Sequence, residues 1–290
     1  RRGAEAEQLI GVAGDHTQNP FAAWRSGPYP MPPGADMYGA RISTAAAEAH
    51  GLHPYQAPTG INSVAYDGRP ACVDCGFCGG YGCPVHAKGD PIAPLQKALR
   101  TGRCQLRSEC HVTDVLLDAS GRRAVGVAYL DDDGVRHEVR SSWVVIAGGG
   151  FETPRLLLLN DLGNSSGLVG RNLMYHFQTF VVGSFPFDLY GERGRVVTHL
   201  HDDPIVGDTA SRAAAGDAAL PWMRGGVVEH GSGGTPVMEA LTAPPGEGHA
   251  THMQASMFRR RLWAFTIQGE DLAQATNRID LDPVVRDVWG

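Results

Sequence analysis

Four thiols share one glycine-rich run: Cys72, Cys75, Cys78 and Cys83 stand in the pattern C-x2-C-x2-C-x4-C-P. Thiolates at such short intervals are soft metal ligands. The run has one residue more before its last cysteine than the bacterial ferredoxin pattern C-x2-C-x2-C-x3-C-P. An iron-sulfur cluster held by these four residues is one reading. Disulfides or free thiols form a second, and structural zinc a third, because C-x2-C is also the usual zinc spacing. Cys104 and Cys110 stand apart on strand-like segments and read as buried core thiols, with a link between them left open.

A second constellation is Gly148-Gly149-Gly150, which follows the apolar run Trp143-Val144-Val145-Ile146-Ala147 and precedes a helical stretch from Thr153 to Asn160. Bare backbone at such a turn lets a dinucleotide approach closely, and the first turn of the following helix offers free N–H groups. By itself the turn is also what any tight strand-to-helix connection needs. His199 and His201 alternate along a strand-like segment and so share a face, which is too few donors for a metal site. His86, His176, His230, His249 and His252 have no partner spacing and read as loop or core histidines.

These groups need a frame. The Gly- and Pro-rich stretch from Arg1 to Ala35 reads as an extended covering loop. Ser43 reads as the cap of a helix that begins at Thr44 and stops at Gly51, and a second helix runs from about Pro91 to Arg100. Strand character follows around Cys104 to Leu106. A β-meander then runs through Val112–Leu117, Ala124–Leu130 and Val135–Arg140, with turns at Ser120-Gly121 and Asp133-Gly134. Trp143 to Ala147 reads as a strand buried on both faces. Beyond His176 longer strands are expected at Phe177–Phe185, Trp222–Val228 and Phe258–Ile267.

Composition narrows the classes. With 290 residues, 42% hydrophobic content and a net charge of -6, the chain suits a globular fold and shows no nucleic-acid footprint. Its densest basic run, Arg259-Arg260-Arg261, leads straight into Leu262-Trp263 and reads as a strand entry. No apolar stretch approaches the roughly 20 residues of a transmembrane helix, so no transmembrane segment is expected. Arg1 is not followed by the apolar region of a signal peptide, and the chain reads as an internal fragment of a longer protein.

The order of meander, apolar strand, glycine turn and helix resembles the glucose-methanol-choline (GMC) flavoenzymes. Gly149, Thr153, Pro154, Leu156 and Leu157 fit the family's second signature, whereas Gly150 and the pair Asn160-Asp161 depart from it. Val169-Gly170-Arg171-Asn172-Leu173 through His176 is similar to another family segment, as are Asn277 to Pro283 and Asp287 to Gly290.

The resemblance implies a mixed α/β fold. Residues 1–176 would form an incomplete FAD-binding Rossmann-like domain with its β-meander and the Cys-rich loop. Residues 177–290 would form part of an antiparallel-sheet substrate domain. It implies FAD contacts at Val112, Ala147, Gly148 and Gly149, and cluster ligation by Cys72, Cys78 and Cys83, with Cys75 a spare or fourth thiolate. The family's G-x-G-x-x-G strand and its catalytic histidine with a His or Asn partner are not among these residues, so no catalytic residue is assigned and the piece alone is expected to bind FAD poorly. The implied activity is oxidation of a CH–OH group in an alcohol or sugar, with electrons passing to a cytochrome or other non-oxygen acceptor. The rivals are an oxidase with disulfides and a non-catalytic iron-sulfur or zinc module.

Overall fold

The computed structural model describes residues 2–78, 82–206, 225–232, 239–241 and 243–286. In chain order its helices are α1 (Arg2–Ile10), α2 (Tyr38–Ala49), α3 (Ile92–Arg100), α4 (Gly149–Leu159), α5 (Asp203–Val206) and α6 (Gly248–Ala255). Its strands are β1 (Tyr55–Gln56), β2 (His111–Leu117), β3 (Ala124–Leu130), β4 (Arg136–Arg140), β5 (Phe177–Ser184), β6 (Val197–His201), β7 (Gly226–Ser232) and β8 (Leu262–Gly269). Among the described residues no helix is long and apolar enough to cross a membrane. The chain divides into two compact units, residues 1–103 with 176–270 and residues 104–175 with 271–290. The chain passes between them at 103/104, 175/176 and 270/271.

The first unit is built on a five-stranded antiparallel sheet in the order β1-β6-β7-β8-β5. Its register aligns His199 with His230 and His230 with Phe265, so these residues share a face. Helix α2 lies on that face. Met37 and Ala40 join Leu189 and Trp263 in the buried core, flanked by Ile42 and Phe185. The approach is close enough to demand glycine at one position: a Cβ on Gly39 would lie 2.2 Å from the Trp263 ring.

The second unit holds the meander β2-β3-β4 and α4. The two hairpin turns form where the sequence places them. Gly121 and Gly134 take φ of 67° and 74°, and their N–H groups bond Asp118 and Asp131 carbonyls at 2.9 and 3.0 Å. Gly170, with φ of 79°, pairs with Ile279, which donates to its carbonyl at 2.8 Å. A Cβ on Gly170 would meet the Ile279 carbonyl oxygen at 2.6 Å, which accounts for glycine in the Val-Gly-Arg-Asn segment.

Several expectations are corrected. Residues 2–10 form a helix rather than a covering loop, favoured by Ala, Glu, Gln and Leu and by an Arg2–Glu5 ion pair at 2.9 Å. Helix α2 begins at Tyr38, and Ser43 is buried inside it rather than capping it. Helix α4 begins at Gly149 and contains Pro154. Residues 104–106 form no strand.

The run Trp143 to Ala147 forms no strand and pairs with none among the described residues. Trp143 and Val145 are 84% and 86% exposed. Apolar character alone cannot make a buried strand, since the backbone needs a neighbouring ladder. Strand β7 lies at Gly226–Ser232, while Trp222 falls outside the described residues, and β8 starts at Leu262 after a 3-10 turn at Ser256–Arg261.

Candidate functional site

In the second unit a cavity of about 380 Å³ opens between β2, β3, the 144–148 segment and the first turns of α4. Val112, Ala147 and Gly148 line it together. Gly149 does not line the cavity; it is the first residue of α4, and its φ of 78° is one that only glycine adopts without strain. The cavity also takes in Cys110, His111, Val127 and Leu156. Sequence periodicity marks Val127 and Leu156 as apolar but cannot say that they meet. Glu152 and Arg155 sit at the same wall, one turn apart and 3.3 Å from each other.

The cavity's walls are fastened by a residue that departs from the family pattern. Asn160 follows α4, and its Nδ2 donates to the Thr113 carbonyl at 3.0 Å while its Oδ1 accepts the Val115 N–H at 3.0 Å. Asp161 then takes the left-handed conformation, with φ of 52°, that ends the helix.

The cysteine loop belongs to the first unit, and Asn62 clamps it. The fully buried Asn62 donates its backbone N–H to Ala87 and accepts from the Cys72 N–H, at 2.9 and 2.8 Å, so both ends of the loop meet at one residue. Its Nδ2 donates to the carbonyls of Tyr66, Arg69 and Pro70 at 3.3, 3.2 and 3.1 Å. All six cysteines stand as free thiols. Cys78 is the hub of the loop, within electrostatic reach of Cys72, Cys75 and Cys83.

Burial pushes the Cys72 and Cys78 thiols up. Burial acts the same way on Cys83, but the backbone N–H groups of Lys88, Val85, Ala87 and His86 outweigh it and bring that thiol down. A ring of N–H groups around one sulfur favours the thiolate. Among the described residues, however, no three His, Cys, Asp or Glu side chains gather tightly enough to hold a metal ion. The loop brings four thiols into one neighbourhood without closing them around a point.

The histidines of β6 and β7 turn inward. His230 is fully buried, with its Nδ1 2.9 Å from Ser43 Oγ and its Nε2 2.8 Å from His201 Nδ1. Ser43 Oγ also donates to the Ala40 carbonyl at 3.1 Å, so it accepts from His230 Nδ1–H, and His201 Nδ1–H donates to His230 Nε2. The chain of donors is satisfied with both imidazoles neutral. It is a structural core network that spacing in the sequence did not reveal, because its members come from α2, β6 and β7.

Residues 46–178 match the sequence model of the family described as GMC oxidoreductase. The chain is similar to the gluconate 2-dehydrogenase flavoprotein of Pantoea cypripedii, with 27% identity over 99% of this chain and 50% of that protein. It resembles the fructose dehydrogenase large subunit of Gluconobacter japonicus at 35% identity over 59% of this chain and 32% of that one. A third likeness is to 2-methyl-1,2-propanediol dehydrogenase of Mycolicibacterium austroafricanum, 26% identical over 83% of this chain and 44% of the other. The chain thus spans half the length, or less, of these relatives. With its glycine turn, its Val-Gly-Arg-Asn segment and these relatives, the chain is similar to the GMC oxidoreductases, and residues 46–178 match that family's model.

Proposed function

We propose that this chain is part of an FAD-dependent oxidoreductase that oxidises a CH–OH group of an alcohol or sugar and hands the electrons to an acceptor other than oxygen. The observation that carries the reading is the cavity of about 380 Å³ that Val112, Ala147 and Gly148 line together, beside the N-terminus of α4. Its size suits a cofactor fragment, and its valines and bare glycine backbone suit the flat face of a heterocycle. The N–H groups of the first turn of α4 favour negative charge nearby. Bound there, the flavin supplies the hydride acceptor. The chain's own part is to seat the cofactor: Val112 presents β2 backbone at the rim, and Gly148 leaves room where a side chain would intrude.

The relatives named for gluconate, fructose and a diol support an alcohol or sugar as substrate. For the electron path the thiol loop supports an iron-sulfur cluster on Cys72, Cys78 and Cys83, with Cys75 a spare or fourth thiolate, leading to a cytochrome or similar partner. The donor chemistry fits, since Cys83 sulfur is ringed by backbone N–H groups and the three other thiols lie around the same loop. Closing the set around iron requires the loop to tighten.

The test is a visible absorption spectrum, with iron and zinc analysis, of the full-length protein that carries this chain. Flavin bands with bound iron are the expected result. Flavin without iron removes the cluster from the reading and leaves the oxidoreductase, and metal without flavin overturns the oxidoreductase itself.

A further inference from the structure

Tyr190 carries a bulky ring on left-handed backbone, with φ of 53°, a conformation that side chains of its size rarely take. The Leu189 and Tyr190 N–H groups both donate to the Arg260 carbonyl, at 2.6 and 3.1 Å, and the Tyr190 carbonyl accepts from the Arg193 N–H at 3.0 Å. Leu189 anchors this turn in the core, with only 1% of it exposed. Asp74 is also left-handed, with φ of 50°, and its carbonyl accepts from the Gly194 N–H at 3.0 Å. Strain of this kind persists only where the surroundings fix it, and it gathers at ligand sites.

Both strained residues line one cavity of about 190 Å³ in the first unit, together with Asp36, Tyr38 and Arg193. Its opposite charges do not close on one another. The Arg193 guanidinium lies over the Tyr190 ring, 5.2 Å from the centroid, and forms no ion pair with Asp36, Asp74 or any other carboxylate among the described residues. Asp36 Oδ1 accepts from Gln56 Nε2 at 2.5 Å and faces His199 Nε2 at 3.6 Å, while its Oδ2 has no hydrogen bond among the described residues. A guanidinium donor and a carboxylate acceptor held apart fit adjacent hydroxyls, each of which can accept from one and donate to the other. Tyr38 and Tyr190, about half exposed, add rings that suit the C–H face of a sugar, with a phenol at the edge of each. A charged ligand of either sign would meet a like charge on this wall, which favours a neutral one. We infer that the cavity is a binding subsite for one neutral sugar ring or similar polyol, with Arg193 and Asp36 gripping hydroxyls and the two tyrosines framing the ring. It shares no residue with the cavity of the second unit, and the inference does not depend on the flavin reading.

The experiment is saturation-transfer NMR on the full-length protein, titrated with methyl β-D-glucopyranoside. The expected result is saturable binding that Arg193→Ala and Asp36→Asn each weaken about tenfold, the loss expected for one charge-assisted hydrogen bond. Absence of transfer to the wild type, or equal affinity in wild type and Arg193→Ala, overturns the subsite. Should Asp36→Asn fail to fold, Arg193→Ala carries the test by itself, because that side chain is exposed and pairs with no acid among the described residues. The visible spectrum of the same samples is read independently. Flavin without glycoside binding removes the subsite and keeps the oxidoreductase, whereas glycoside binding that Arg193→Ala weakens, in a protein without flavin, does the reverse.

Discussion

Asn160 Oδ1 accepts the Val115 N–H at 3.0 Å, and by that bond the end of α4 is tied to the strand that carries Val112. The same carboxamide donates to the Thr113 carbonyl, so one side chain closes both edges of a gap in the β2 backbone. Asn160→Ala leaves those groups without their partner and should cost about 1–3 kcal/mol. A lowered melting temperature together with weaker flavin retention is the expected outcome. Unchanged flavin retention would show that the tie does not shape the pocket.

Gly148 lines the same cavity, and a Cβ there would already stand 3.1 Å from the Glu152 Cβ. Gly148→Val fills space that the cofactor reading needs. The expected result is at least about a tenfold loss of flavin affinity, equivalent to about 1.4 kcal/mol, with the far-ultraviolet circular dichroism preserved. Full flavin occupancy in this variant would place the cofactor elsewhere.

His230 gives the first unit a pH signature. Burial disfavours its imidazolium, the neighbouring His201 and His199 add to the effect, and its pKa falls from 6.5 to about 3. Burial lowers His201 and His199 as well. The unfolded chain takes up these protons near pH 6.5 and the folded chain does not, so the stabilisation is complete above that pH and is lost as pH falls towards 3. Urea midpoints measured from pH 7 to pH 4 should therefore decline, and His230→Gln should flatten the decline. An equal slope in both proteins would assign the acid sensitivity to other groups.

Asn62 is the clamp of the cysteine loop. Asn62→Ala removes three side-chain hydrogen bonds from a fully buried position and should cost about 1–3 kcal/mol. Because the loop's two ends meet at this residue, its thiols should also react faster with a disulfide reagent. A stability loss without faster labelling would mean that the loop holds its shape by other means.

What was legible in the sequence was local. Gly121 and Gly134 mark their turns because positive φ is a property of the residue itself, and the meander between them follows from alternation. The turn ahead of α4 and the thiol spacing are likewise readable from neighbouring residues. The joint placing of Val112, Ala147 and Gly148 came from the family resemblance, since no spacing rule brings residues so far apart in the chain to one cavity.

Tertiary structure decided the rest, for reasons of pairing and burial. The apolar run 143–147 looks like a buried strand in isolation, but a strand exists only with a hydrogen-bonded neighbour. Ser43 looks like a helix cap until His230 from a distant strand bonds to it inside α2. No spacing in the sequence marks Arg195, and the packing of Gly34, Ala35 and Thr59 around it makes it a buried cation. The sequence determined which residues had the chemistry to line an apolar cavity and to form a thiol-rich loop. Folding decided which of them meet, because desolvation and distance are set by segments far apart along the chain.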